Sequence, residues 1–319
     1  MEPGPGPDRQ AQGEQRRYRR RRQARGEPLK VALIGNPSVG KSTLFSKLTG
    51  IGVLISNYPG TTVEVARGRV CHDYICLDLS DLPGVYSVDG NTPEEQTVNR
   101  FLRDERPDVI LNVIDATRLE RNLYLTLELL ELDIPVIVSL NMIDDATRIG
   151  VEIDGRLLSE LLHAPVIPTS SRKGTGLEEL MHEFEAPPGP EQQRHVKYDR
   201  HVESFIEGLV AQGLTRHEAV LLLTQGPGGR PYPQGAVTTA DIAREEIERS
   251  HEQGIAEILA GNRYSDAGLI ARAVTRRRPQ AEMTLKERLD NLLLRPILGF
   301  IILAAVMLGM LLVVFLVGG

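Results

Sequence analysis

The sequence predicts an α/β domain with a mostly parallel sheet, then a small all-α domain and one transmembrane helix. Three observations carry that expectation. Short, almost wholly apolar runs alternate with helical periodicity from Lys30 to about residue 186. Beyond Pro187-Pro188-Gly189-Pro190 the periodicity is helical only. Finally, Pro296 to Gly319 is a run of 24 residues without a charge.

Taken in order, residues 1–29 read as a disordered basic arm, poor in apolar residues and ending in RRYRRRRQAR. Residues 1–30 hold nine basic and four acidic side chains, whereas the whole chain carries 37 Lys and Arg against 43 Asp and Glu, a net −6. That balance argues against a nucleic-acid coat over the whole chain and leaves the arm as a solvated tail able to touch phosphate or lipid. KVALI at 30–34 opens the α/β domain as a strand, with a helix near Ser42–Leu48. Further strands are expected at 63–70, 74–79, 109–115, 136–141 and 166–170. Leu119, Leu123, Leu127 and Leu130 mark one helical face between two of them. Near-continuous apolar strands separated by helices belong to a parallel sheet covered on both faces.

The domain so read spans 30–186, and an all-α domain spans 187–275. Val202, Phe205, Ile206 and Leu209 form one apolar stripe there, and Ile242, Ile247, Ile255 and Leu259 suggest others around a Gly/Pro loop at 226–235. A basic segment at 276–295 then precedes the apolar run at 296–319, which as a helix spans about 36 Å against a hydrocarbon core of about 30 Å. Positive charge ahead of the span puts residues 1–295 in the cytoplasm. The span reads either as a tail anchor or as the front end of a longer membrane protein. Cys71 and Cys76 are too few for a disulfide scaffold and suggest a reducing compartment, with packing as their expected role. The scattered histidines His163, His195, His201, His217 and His251 form no metal motif. Arg118 and Arg121 near a helix start read as solvated charge, and Glu94 and Glu95 after Thr92-Pro93 as a helix first turn.

Gly35-Asn36-Pro37-Ser38-Val39-Gly40-Lys41-Ser42, followed by Thr43, fits the phosphate-binding pattern between a strand and a helix. Backbone N–H groups of such a loop curl around phosphate oxygens, and the helix N-terminus adds its positive end. Lys41 would reach the outer phosphates, and Ser42 would offer its hydroxyl to magnesium. Asp81-Leu82-Pro83-Gly84 ends another strand, where Asp81 can hold magnesium through water and the Gly84 amide can sense a γ-phosphate. Asn141-Met142-Ile143-Asp144 has the form that selects guanine, because a carboxylate accepts from the ring N–H and exocyclic amine that adenine lacks in that pattern. Ser170-Ser171-Arg172 follows the next strand, where a backbone amide can meet the guanine oxygen. Together the four elements predict a GTP-binding domain using GTP, GDP and magnesium.

Their order resembles the FeoB-type ferrous iron transporters of bacteria. The resemblance rests on GNPSVGKSTLF, NYPGTTVE at 57–64, DLPGVYSV at 81–88, residues 92–144, TSSRKGTGLEEL at 169–180 and LKERLDNLLLRPILGF before the apolar run. It covers roughly 30–319. It implies a GTPase that hydrolyses GTP to GDP and phosphate, a helical domain that modulates nucleotide release, and a polytopic iron-permeation domain of which only the first helix falls within this chain. It implies a bacterial inner-membrane location, a small FeoA-type accessory protein and homo-oligomerisation; no nucleic acid is expected. Thr62 matches the switch threonine that closes on magnesium and γ-phosphate, within a mobile segment running from Gly60 and Thr61 to Glu64. Lys41, Thr62 and Gly84 are the expected catalytic groups; Ser42, Thr62 and Asp81 surround the metal.

Two departures bear on mechanism. Val85 follows Gly84, so no glutamine stands there to orient water, and slow intrinsic hydrolysis is expected. Ser38 stands where the family usually has an asparagine that helps hold potassium, which puts potassium stimulation in doubt. An RNA-binding GTPase of ribosome maturation has the same nucleotide motifs and would use the basic arm, but the apolar terminal helix speaks against it. A membrane-anchored regulatory GTPase without transport is the third reading.

Overall fold

The computed structural model describes residues 27–50, 53–72, 75–90, 92–189, 193–228, 231–251, 253–277 and 296–317. Most of the expected basic arm and of the segment at 276–295 lies outside them. Strands β1 (Leu29–Ile34), β2 (Leu54–Asn57), β3 (Glu64–His72) and β4 (Ile75–Asp81) come first, with α1 (Lys41–Thr49) after β1. There follow α2 (Pro93–Glu105), β5 (Val109–Asp115), α3 (Leu119–Leu130), β6 (Val136–Asn141), α4 (Ile143–Arg148), β7 (Val151–Ile153), α5 (Gly155–Leu162), β8 (Val166–Pro168) and α6 (Leu177–Glu183). The seven-stranded sheet has the order β2-β3-β4-β1-β5-β6-β8. Its β4-β1-β5-β6-β8 part is parallel, whereas β2 and β3 run antiparallel at one side. The mostly parallel α/β class expected from the sequence is what folds. Within this sheet the fully exposed β2, whose burial gives no alternation to read, is the strand that sequence patterning misses; the three-residue β7 is missed as well.

Alternation along β1 explains the two cores. Ala32 and Ile34 face one side with Ile110, Ile114, Val136 and Val138, whereas Val31 and Leu33 face the other with Leu77, Leu79, Leu111 and Phe184. Successive side chains of a strand point to opposite faces, so a strand apolar at every position needs cover on both. Helix α2 begins with Pro93 behind a capping box, in which Thr92 Oγ1 accepts from Glu95 N–H and Glu95 accepts from Thr92 N–H. Glu94 and Glu95 thus do occupy a helix first turn.

Helices α7 (Arg200–Val210), α8 (Arg216–Gln225), α9 (Gln234–His251) and α10 (Ile255–Val274) follow, and a short strand β9 (Thr275–Arg277) pairs with β7. Val202, Ile206 and Leu209 on α7 bury the expected stripe. Ile242 does not: it is 55% exposed, and α9 instead buries Ala236, Ala240, Ala243 and Ile247. Ala236, Ala240, Ala243 and Ile247 share the face of α9 that is buried, and α9 packs against α7, which leaves Ile242 on the outer side. Helix α3 is apolar on more than the one expected face, burying Leu125 and Leu129 as well as Leu123 and Leu127. Helix α10 packs along it. A single apolar core therefore runs from the sheet through α3 into α7–α10, and one compact unit extends to Arg276.

The second unit contains α11 (Pro296–Val317). Its Gly299–Leu316 stretch has a mean hydropathy of 2.9 and is unburied, long and apolar enough to cross a membrane.

Cys71 and Cys76 depart from expectation. They face each other across β3 and β4 as register partners, with Cα atoms 4.1 Å apart, and form a disulfide. Spacing alone suggested only two thiols on neighbouring strands; the antiparallel register makes them direct opposites and so brings them within bonding reach.

Candidate nucleotide site

The site forms along the C-terminal edge of the parallel strands, where open α/β sheets place their ligands. Gly35 to Gly40 link β1 to α1, and Gly40 adopts φ +88° as the residue before the helix. A side chain at Gly40 would be strained by that backbone, and its Cβ would stand 2.5 Å from Asn141 Nδ2. Lys41, Leu44 and Phe45 are the buried residues of α1, while Ser42 and Thr43 are exposed at its start. Ser38 also has a positive φ, 65°, and is exposed.

Beside this loop, Asp81 ends β4 in register with Leu33 of β1. Its carboxylate is 9% exposed and lies 3.2 Å from Lys41 Nζ. Beyond that ion pair, which falls on Oδ1, this oxygen accepts no hydrogen bond among the described residues. A buried carboxylate at the end of β4, with the Ser42 hydroxyl at the start of α1, a helix that packs on β4, is a hard-oxygen set that fits magnesium. Leu82 N–H donates to Leu33 O and Val85 N–H to Gly35 O, so the DLPGV segment is laced to the phosphate loop. A Cβ on Gly84 would come within 2.8 Å of Pro37 Cα, which shows how closely the two backbones run. Val85 is 2% exposed, so its side chain offers nothing to a water at the site.

At the other end, Asn141 closes β6 and is 1% exposed. Its Nδ2 donates to Val39 O at 2.8 Å, and its Oδ1 accepts from Ser171 N–H and Ser171 Oγ, both at 2.9 Å. Asn141 thus binds the phosphate loop to the Ser170-Ser171-Arg172 loop and offers little of its carboxamide to a ligand. Met142, at φ 60°, turns the chain into α4 and places Asp144 in its first turn. Asp144 pairs with Arg172 at 3.0 Å and Lys173 at 3.5 Å. Desolvation pushes the Asp144 carboxyl up, but hydrogen bonds from Ser170 and Arg172 and the charges of Lys173 and Arg172 outweigh it, holding the group at about 2. It is therefore an ionised acceptor at neutral pH.

Thr61 and Thr62 sit on the turn between β2 and β3. The Thr61 hydroxyl donates to Tyr58 O and accepts from Val63 N–H, while Thr62 is exposed. Gly60 takes φ +74° in the same turn.

Sequence reasoning missed a buried ionic cluster behind the site. Arg263 of α10 donates from Nη1 to Glu128 (2.9 Å), from Nη2 to Glu131 (2.7 Å) and from Nε to Tyr198 Oη (3.0 Å). Tyr198 Oη in turn donates to Glu131. Glu128 also accepts from Val88 N–H at 2.9 Å and Ser87 Oγ at 3.0 Å, residues that follow DLPG. All four side chains are buried. Burial pushes the Glu128 carboxyl up, opposed by Arg263, while Arg263 is held firmly charged by Glu131 and Glu128 against its own desolvation. The one available signal was two glutamates three apart inside the leucine-rich stretch LTLELLEL.

A parallel sheet with a phosphate loop, an acidic strand end laced to it and an Asx-containing base loop define a P-loop GTPase domain. The family model for ferrous iron transport protein B, FeoB_N, matches residues 29–184. The chain belongs to the FeoB family, and those residues are its G domain. A Porphyromonas gingivalis Fe(2+) transport protein A/Fe(2+) transporter FeoB fusion protein is 33% identical over 304 residues, covering 86% of this chain and 35% of that protein. The Fe(2+) transporter FeoB of Salmonella typhimurium is 45% identical over 156 residues, covering 48% of this chain and 20% of that protein. The chain thus spans about a third or less of these relatives' length. Among solved structures, an S. thermophilus NFeoB mutant bound to GDP superposes with a TM-score of 0.71 at 31% identity, covering 78% of this chain and all of the other.

Proposed function

We propose that this chain is the GTP-hydrolysing switch of a ferrous iron uptake transporter in the bacterial inner membrane, with residues 1–295 in the cytoplasm and α11 as the first of several spans. The observation that carries the reading is the joined geometry of Lys41, Asp81 and Asp144 along one sheet edge, supported by α11. In this reading the Gly35–Thr43 loop holds the phosphates and Asp144 accepts from the guanine ring, with Asn141 positioning both loops. Ser42, Asp81 and Thr62 would hold magnesium, and the ion would neutralise charge that develops on the phosphates. Lys41 offsets charge on the outer phosphates, and the Gly84 amide meets the γ-phosphate. The Cys71–Cys76 bond sits on the hairpin away from the Lys41–Asp81 pair and has no part in this chemistry.

Glu128 gives the switch an output. It holds the segment after DLPG through Val88 and Ser87 and holds α10 through Arg263. A γ-phosphate that draws Gly84 inward pulls on the same carboxylate that anchors the helical region, and so α7–α10 sense nucleotide state. Ferrous iron is the cargo of the membrane part, and a FeoA-type protein is a partner, a reading supported by the fused relative from P. gingivalis. Uptake of radioactive ferrous iron by cells tests this. Lys41→Ala in the native gene should abolish high-affinity uptake, and uptake at the unaltered rate would reject the transport reading.

Potassium dependence follows from Ser38. Its hydroxyl is shorter than an asparagine carboxamide, so turnover in potassium chloride should equal that in sodium chloride within about twofold. Ser38→Asn should restore potassium stimulation, because asparagine tolerates the left-handed backbone that Ser38 already adopts. Strong potassium-specific stimulation of the unaltered protein would contradict this.

A further inference from the structure

Hydrolysis of GTP breaks the bond between the γ-phosphorus and the bridging β–γ oxygen as a water oxygen bonds to phosphorus. The electron pair stays on the β-phosphate of GDP, and the water protons pass to the released phosphate and solvent. Charge accumulates on the bridging oxygen during this step, and a cation placed there lowers the barrier. Arginine suits the task, since its planar guanidinium is always charged and matches phosphate geometry.

Against the outer side of the phosphate loop lies a cavity of about 380 Å³, its walls including Asn36, Ser38, Arg118, Arg121 and Arg148. Arg148 is paired with Asp145 at 3.0 Å. Arg121 is exposed at the start of α3, and its guanidinium carbon lies 4.5 Å over the Tyr86 ring. Tyr86 is two residues beyond Gly84, and Gly84 abuts Pro37 of the phosphate loop. The stacking platform therefore stands at the seam where the two nucleotide-sensing segments meet. Arg121 is not simply solvated charge, as its surroundings in sequence suggested. Asn36 adds an independent sign that the cavity takes a polar group. It is 4% exposed, and neither Oδ1 nor Nδ2 has a hydrogen-bond partner among the described residues. Leaving a buried carboxamide unpaired is costly, and a ligand or a guanidinium entering the cavity would relieve that cost.

We propose that Arg121 is a catalytic arginine supplied by the chain itself: resting on Tyr86, it moves along the Ser38 side of the loop onto the phosphates of bound GTP. The proposal rests on the hydrolysis reading above. It answers the departure at Ser38, because a guanidinium there supplies the positive charge that an asparagine-held ion supplies in the family pattern. Tyr86 is a positioning residue that keeps the guanidinium at the seam.

Single-turnover GTP hydrolysis and GDP binding by the full chain in detergent test it. An arginine acting on a transferring phosphoryl group is worth about 10³–10⁵ in kcat, so Arg121→Ala should lower kcat at least about 10²-fold with KM and GDP affinity within about threefold. Arg121→Lys should rescue little, since a point charge lacks the fork, and Arg156→Ala, at an exposed arginine on α5 paired with Glu160, should stay within about twofold of the unaltered chain. The unaltered chain should bind GDP with aluminium fluoride, and Arg121→Ala should not. A kcat for Arg121→Ala within about twofold of the unaltered chain, or a loss of GDP affinity equal to the loss of turnover, would overturn the proposal. If the unaltered chain releases no phosphate, the hydrolysis reading fails, and equal aluminium fluoride binding by both proteins then sinks the role of Arg121 separately.

Discussion

Replacing Arg263 by methionine should destabilise the folded chain by about 3–5 kcal/mol, the usual cost of removing one partner of a buried ion pair. The guanidinium serves Glu128 and Glu131 together and also donates to Tyr198. Without it two carboxylates remain in one apolar core, 2% and 1% exposed. Combining Arg263→Met with Glu128→Gln and Glu131→Gln should recover most of the loss, because amides carry no charge to bury. Chemical denaturation of the full chain in detergent measures both. A loss below about 1 kcal/mol for Arg263→Met, small even for an exposed pair, would mean that water reaches the cluster and that it does not join the helical region to the nucleotide segment.

The second large effect is on base selection. Asp144→Asn should weaken GTP binding about 10²–10⁴-fold, since two hydrogen bonds to a charged acceptor are lost at about 1.5–3 kcal/mol each. The new amide can donate to the second carbonyl of xanthine, so affinity for xanthosine triphosphate should rise in the same variant. Calorimetric titration with both nucleotides gives the comparison. The carboxyl is held at about 2, so the unaltered preference for guanine should be flat from pH 6 to 8. Retained GTP affinity in Asp144→Asn would place guanine recognition elsewhere.

Much of the candidate nucleotide site's arrangement was legible because the motifs that build it are local. A phosphate loop needs its glycines, lysine and hydroxyl in consecutive positions, and Asp81 and Asp144 each lie at or just past a strand end that hydrophobic runs already marked. The parallel sheet was legible for the same reason, since β1, β5 and β6 are apolar on both faces. What stayed hidden depends on contacts distant in sequence. Glu128 and Glu131 look like solvated charge until Arg263, more than 130 residues away, is brought against them. Asn141 reads as a base-contacting residue, yet its carboxamide is taken up by Val39 and Ser171. The expected break at Pro187 is a change of secondary structure within one continuous core, because α10 buries the second apolar face of α3. Cys71 and Cys76 needed the strand register, and Ile242 needed the alanine face of its own helix.

Phosphate release by the full chain with magnesium, measured in parallel with GTP and with ATP, tests the central claim most directly. The account predicts slow, saturable release from GTP, loss of that release in Lys41→Ala, and none above background from ATP. Equal release from both nucleotides, or release from GTP that survives Lys41→Ala, would contradict it.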